Sequence, residues 1–208
     1  MRKNKITNWL SGIFLIFSVG TLTAATNEQL YELQKNEIEG TEVFLNGMGA
    51  VKKLNATYYI AALYLQEKSG VDSDIVFMEG KKRLILKFSL DRVSARGFGR
   101  EMAGALKINN VPEELAVYRN DLRKFIGFFK GIYQKGDTLT FDYSPKRGVT
   151  VRHNDETLGN ISTKGFDKLL FKSWLGEKPF SNSFKRGLVG ANEDKEAIDL
   201  LRQYVDLN

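Results

Sequence analysis

The stretch "NATYYIAALYL" (residues 55–65) carries the architecture of this chain. As a β-strand it places Tyr58, Ile60, Ala62 and Tyr64 on one face and Tyr59, Ala61, Leu63 and Leu65 on the other, because successive side chains alternate across a strand. Neither face is polar, so the strand reads as covered on both sides. Its three phenols cannot all point into water. Tyr58 and Tyr64 read best as packing residues whose hydroxyls find partners at the sheet margin. Ala61 and Ala62 leave room above the sheet, where an apolar ligand could lie with a tyrosine hydroxyl at its polar end.

Neighbouring segments extend the pattern. After a polar leader, "NEQLYELQKNEIEG", strand-like sequence runs through "TEVFLNGMGAVKKL". A short helix near "DSDIVFME" precedes "KRLILKFSL", where Leu84, Leu86, Phe88 and Leu90 alternate with mostly polar residues as in a half-buried strand. The period then changes. One helix is predicted from Ser94 to about Lys107; another is entered through Pro112, with Leu115, Tyr118, Leu122, Phe125 and Phe129 on a single stripe. Period two returns at Leu139, Phe141 and Tyr143 and again, after "SPKRG", at Val149 and Val151, as in a hairpin, with a third strand at "ETLGNIS". A helix carrying Phe166, Leu169, Leu170 and Trp174 stops at Gly176 with Pro179 beyond. "SNSFKRGLVG" suggests a short helix, and "NEDKEAIDLLRQYVD" a terminal one with Ile198, Leu201 and Val205 inward. This order fits one α+β domain, a largely antiparallel sheet with grouped helices.

The chain has 208 residues, 42% apolar and 27% charged, an ordinary globular composition with no sign of disorder. Its start, "MRKNKITNW", "LSGIFLIFSVG" and "TLTAA", has the basic, apolar and small-residue regions of a secretory signal peptide. The apolar run is interrupted by Ser11, Gly12 and Ser18 and is shorter than the roughly 18 residues expected of a membrane span. We therefore expect a signal peptide over residues 1–25, a single mature domain over 26–208, and a periplasmic or secreted product. Removing Arg2, Lys3 and Lys5, and no acid with them, takes the formal charge from +6 to +3, too small an excess to indicate nucleic-acid binding.

Cysteine is absent and His153 is the only histidine, which argues against thiolate sites, a His-based zinc site and a Ser-His-Asp relay. No metal or other cofactor is expected. His153 continues the inward face of Val149 and Val151 and reads as a packing residue. "GMG" (47–49) and "GFG" (97–99) lack the third glycine of a phosphate loop; the first is followed by strand, so its glycines mark a bulge or close backbone approach. Arg92, Arg96 and Arg100 are spaced to align along a helix and oppose its dipole. Salt bridges to acidic residues are the preferred reading, with an anion held between the first helical turn and the side chains of Arg92, Arg96 and Arg100 as the alternative.

"LNGMG", "YIAALYL", "RVSARGFGRE", "KGD" followed by "FDY", and "WLGEKP" occur in an order that resembles the chalcone isomerase-like proteins of bacteria, over roughly Leu45 to Gly190. The resemblance implies an α+β open-faced β-sandwich, a curved and largely antiparallel sheet with helices layered on one face and a pocket between them. Relatives include plant enzymes that close a chalcone to a flavanone and fatty-acid-binding proteins that are not enzymes. Both use an arginine on the strand before "YIAALYL"; the matching residue here is Val51, which supplies no paired donor fork for a carboxylate or phenolate. Tyr59 stands where the fatty-acid binders have their tyrosine. Lys53 shares strand parity with Val51 and offers a point charge instead. The resulting expectation is an exported, non-catalytic binder of a hydrophobic or amphipathic small molecule, with Tyr59 as the main polar contact and Lys53, Tyr64 and Arg96 as further candidates. An isomerase of the chalcone type and a structural or partner-binding envelope protein are the alternatives.

Overall fold

The computed structural model describes residues 32–207; the segment read as a signal peptide lies outside them. Strands β1 (Lys35–Ile38), β2 (Thr41–Lys53) and β3 (Ala56–Leu65) are followed by helix α1 (Asp72–Phe77) and strand β4 (Lys82–Phe88). Next come β5 (Val93–Ser94), helices α2 (Ala95–Asn109), α3 (Pro112–Val117) and α4 (Arg119–Ile126), and β6 (Ile132–Tyr133). The chain closes with β7 (Thr138–Ser144), β8 (Gly148–His153), β9 (Glu156–Ile161) and helices α5 (Phe166–Leu175), α6 (Asn182–Leu188) and α7 (Asp194–Val205). Seven strands form one antiparallel sheet in the order β1-β2-β3-β4-β7-β8-β9, curled into a half-barrel, while β5 and β6 pair separately. The α+β reading holds, and the polar leader proves to contain the edge strand β1.

Strand β3 is covered on both faces, as its sequence requires. Tyr59, Ala61, Leu63 and Leu65 join Leu84, Leu86 and Phe88 of β4 in the main core, beneath Phe98 of α2, Trp174 of α5 and Phe184 of α6. Ile60, Ala62 and Tyr64 enter a second core on the other side with Leu200 and Tyr204 of α7. The terminal helix thus leaves the main helical layer to cover the opposite face. Its inward stripe is Leu200 and Tyr204, whereas Ile198 is 44% exposed. Leu201 and Val205 sit at the margin of that contact. Tyrosine, apolar in body and polar at its tip, suits a face that β4 meets with a lysine: the Lys87 ammonium lies 4.9 Å above the Tyr204 ring and also donates to the Tyr204 carbonyl at 3.0 Å.

Three more expectations change in detail. Tyr58 packs in the main core beside Tyr59 and Phe88, because a register shift at Val51/Lys52 interrupts strict alternation where β3 begins. Strand β4 is buried on both faces, its polar side included: Arg83 and Lys87 are buried. The Arg83 guanidinium grips both Asp142 oxygens at 2.5 and 2.8 Å. The single stripe expected from Pro112 to Phe129 is two helices broken at Tyr118, whose φ, ψ of −96° and 18° interrupt the helix, and whose hydroxyl donates to the Lys164 carbonyl at 2.9 Å. Leu115, Tyr118 and Leu122 still pack against the core.

The glycines of "GMG" act by close approach. A Cβ on Gly47 would lie 2.2 Å from the Gly187 carbonyl oxygen, and one on Gly49 would lie 2.5 Å from that of Phe184. Helix α6 therefore rests backbone against backbone on β2. Between these glycines and β1, the bulged residue Asn46 ties the layers: its amide donates to the Ser69 and Leu188 carbonyls at 3.0 and 2.9 Å. The β2–β3 turn is Leu54–Asn55, both with positive φ (48° and 65°), the geometry of a two-residue hairpin turn that favours Asn and Gly over leucine. Gly47→Ala should lower unfolding free energy on the order of 2 kcal/mol by overpacking. Leu54→Gly should raise it by about 1 kcal/mol by relieving a left-handed leucine. Urea denaturation of both variants checks the pair of signs.

Candidate functional site

Tyr59 sits at the centre of the main core with no exposed surface. Its cross-strand neighbours are Val51 on β2 and Phe88 on β4. The rings of Phe88, Phe98, Phe180 and Phe184 surround it edge-on, with centroids 6.1 to 6.4 Å away. Edge-to-face rings of this kind pack favourably and leave no polar partner in the plane. The Tyr59 hydroxyl is buried without a hydrogen-bond partner. The Trp174 indole N–H, on the next layer, faces this hydroxyl and eases its ionisation slightly, yet it too has no partner within hydrogen-bonding geometry. Burial, reinforced by the nearby Tyr58 and by the charge of Glu101, holds the Tyr59 phenol well above its ordinary pKa. It stays a neutral donor.

Two buried donors without a protein partner are costly, since each forfeits a hydrogen bond it makes in water. Among the buried polar groups without a protein partner, which also include the Tyr133 and Ser173 hydroxyls, these two face each other. Phe180, half-buried on the loop between α5 and α6, packs edge-on against the Tyr59 ring. On its outer side a groove of about 530 Å³ runs along β2, walled by Val51, Phe180 and Leu200 and rimmed by the charged Glu193, Glu196 and Asp199. The groove and Tyr59 thus share two walls, Val51 and Phe180.

The other residues singled out from sequence are placed elsewhere. Lys53 is bound to Glu101 at 2.5 Å, and its ammonium lies 3.4 Å above the Tyr58 ring. Tyr64 faces the second core under α7, opposite to Tyr59; burial, only partly offset by Arg83 and Asn36, pushes its pKa up to about 12. Arg96 is exposed near the start of α2, with Arg92 and Arg100. Among the described residues no carboxylate pairs with these three arginines, so the expected salt bridges do not form. In water such pairs stabilise little, and Ser94 instead caps the helix by accepting from the Gly97 amide at 3.2 Å.

Sequence reasoning assigned Trp174 to a packing stripe and passed over Phe180 and Phe184. An indole on a fully apolar face is itself a signal, because its N–H needs an acceptor when buried. A second feature it missed is Lys82, completely buried on the main-core side of β4. Its ammonium is 3.0 Å from Asp167 and reaches the Ile75, Val76 and Met78 carbonyls at the end of α1. Burial lowers its pKa and Asp167 opposes that shift. All its donors are engaged, so it reads as a structural tie and not as a ligand anchor.

His153 packs as expected, with its ring 4.9 Å from Tyr133 and Nε2 3.0 Å from Asp137. Partial burial disfavours the Asp137 carboxylate. Hydrogen bonds from the Gln134 amide, Asn154 and His153 outweigh it and hold the pKa below the usual range. A depressed folded pKa contributes stability above the unfolded value near 3.9 and loses it as pH falls through the folded one. Asp137→Asn should therefore flatten the decline in stability measured below about pH 4, and an unchanged acid limb would refute the assignment. Tyr59→Phe removes an unpartnered hydroxyl without removing volume and should raise thermal stability, by about 1 kcal/mol; a loss of that size would mean that the hydroxyl is bonded.

The chalcone isomerase-like family matches residues 29–190. No curated protein sequence matches the chain. Among solved structures, a fatty-acid binding protein of Arabidopsis thaliana superposes with a TM-score of 0.56 at 17% identity, covering 74% of this chain and 90% of that one. At that identity the likeness is one of fold. The family match spans most of the described sequence, and the chain belongs to the chalcone isomerase-like family.

Proposed function

We propose that this protein is a non-catalytic binder of a hydrophobic or amphipathic small molecule of the fatty-acid kind, exported after loss of residues 1–25 and working as a 26–208 domain in the periplasm or outside the cell. The observation that carries the reading is the paired vacancy in hydrogen bonding at Tyr59 and Trp174. A ligand oxygen placed between them would restore two bonds that folding has removed, while the chain of the ligand replaces ring contacts. Entry past Phe180 from the groove along β2 needs only a side-chain and loop movement, because Phe180 lies outside the secondary structure. The fatty-acid binding neighbour from Arabidopsis supports the same class of ligand.

Isomerisation is disfavoured by the electrostatics. Cyclisation of a hydroxychalcone requires positive charge aimed at a phenolate oxygen. Val51 occupies the matching position opposite Tyr59, Lys53 is neutralised by Glu101, and Glu101 adds a negative field at Tyr59. Mass spectrometry of small molecules extracted from protein purified from its native source should find a long-chain compound, reduced several-fold in Tyr59→Phe. A spectroscopic assay with a hydroxychalcone should show no acceleration over the spontaneous reaction. Turnover abolished by Tyr59→Phe, with no copurifying compound, would reverse the ranking.

A further inference from the structure

The site just described discriminates by charge. We propose that its ligand carries an uncharged head with a hydrogen-bond acceptor, such as an ester, ketone or aldehyde oxygen at the end of an apolar chain, and that Trp174 is the specificity-determining donor. The inference rests on the binder reading and narrows its ligand class.

The polar groups nearest Tyr59 that lack a protein partner are neutral. Trp174 Nε1 can only donate, and Tyr59 can donate from its hydroxyl. Tyr133 and Ser173 place two further buried hydroxyls in the same core without partners. The indole faces the Tyr59 hydroxyl, and a carbonyl oxygen, which has two lone pairs, could accept from both donors if it entered between them.

The cations of the same face are committed elsewhere. Lys82 lies six residues from Phe88 along β4, and Phe88 is the partner of Tyr59. That spacing corresponds to about 20 Å, and Lys82 is already bound by Asp167 and three carbonyls. Lys53 is held at the rim by Glu101. Arg83 and Lys87 belong to the other face of β4, where Asp142 and the Tyr204 carbonyl engage them.

An ionised carboxylate drawn into this core would lose its hydration with no cation to replace it, a cost of several kcal/mol in an apolar interior. The charge of Glu101, which already resists ionisation of Tyr58 and Tyr59, would oppose it further. An ester or ketone meets neither penalty. Val51, the cross-strand neighbour of Tyr59, brings no charge to such a head.

The test compares hexadecanoate, methyl hexadecanoate and hexadecane, each measured at pH 8 by displacement of a fluorescent fatty-chain probe from the purified protein. The expected order places the methyl ester at least tenfold tighter than the carboxylate. Trp174→Phe should weaken the ester on the order of tenfold, the effect of one hydrogen bond, and leave hexadecane within twofold. Tyr59→Phe, which changes no volume, serves as the second variant should Trp174→Phe fold poorly, and should also weaken the ester selectively. Tighter binding of the carboxylate, or equal loss of ester and hexadecane in the variants, overturns the inference while the binder reading stands. Retention of none of the three ligands overturns the binder reading itself.

Discussion

The contact on which the rest of this structure depends is the backbone-to-backbone seat of helix α6 on strand β2. It exists only because Gly47, Gly49 and Gly187 carry no side chain: a Cβ on Gly187 would fall 2.2 Å from the Met48 carbonyl oxygen, as one on Gly47 would from Gly187. Seated this closely, α6 lowers Phe184 onto Tyr59, and the loop leading into α6 sets Phe180 beside it. A side chain at any of these glycines would lift the helix and uncover the phenol. The sheet supplies the floor, and three glycines determine how tightly the roof closes.

Charge is distributed around that closed centre and kept out of it. On the outer face of the sheet, Asp142 is shared by Arg83 and Arg152, and Lys87 is tied to the terminal helix. At the far end of β4, Lys82 joins the C-terminus of α1 to Asp167 in the first turn of α5, a place where helix dipoles favour both charges. These buried ions are satisfied, so they fix the positions of strands and helices and contribute register more than net stability. Tyr59, Trp174, Tyr133 and Ser173 are the contrast: polar, buried, neutral and without partners. At Tyr59 and Trp174, where the bare groups are neutral and can donate, a neutral acceptor would complete the bonding.

Much of the architecture was legible in the residues because it follows from period and punctuation. The doubly apolar "YYIAALYL" required cover on both faces and has it; the hairpin at "SPKRG", the stop at Gly176 and the start at Ser94 follow from turn and cap chemistry. What could not be read depends on contacts between distant segments. No local pattern announces that α7 will cross to the other face, that Lys82 will meet Asp167, or that Tyr58 will turn into the main core after a register shift. The site was legible in half: alternation and the family resemblance singled out Tyr59, while Trp174 was hidden in a packing stripe. Lys53 shared strand parity with Val51 on paper, but Glu101 of α2 claims its charge.

The most direct measurement follows the indole proton of Trp174 by two-dimensional NMR as methyl hexadecanoate is added. Without an acceptor, this resonance should lie upfield of hydrogen-bonded indoles in the free protein and move downfield as the ester saturates the site, with the peak identified by its loss in Trp174→Phe. A resonance that keeps its position at saturation would mean that the ester oxygen is not held there, contradicting the assignment of this core as a binding site for a neutral head.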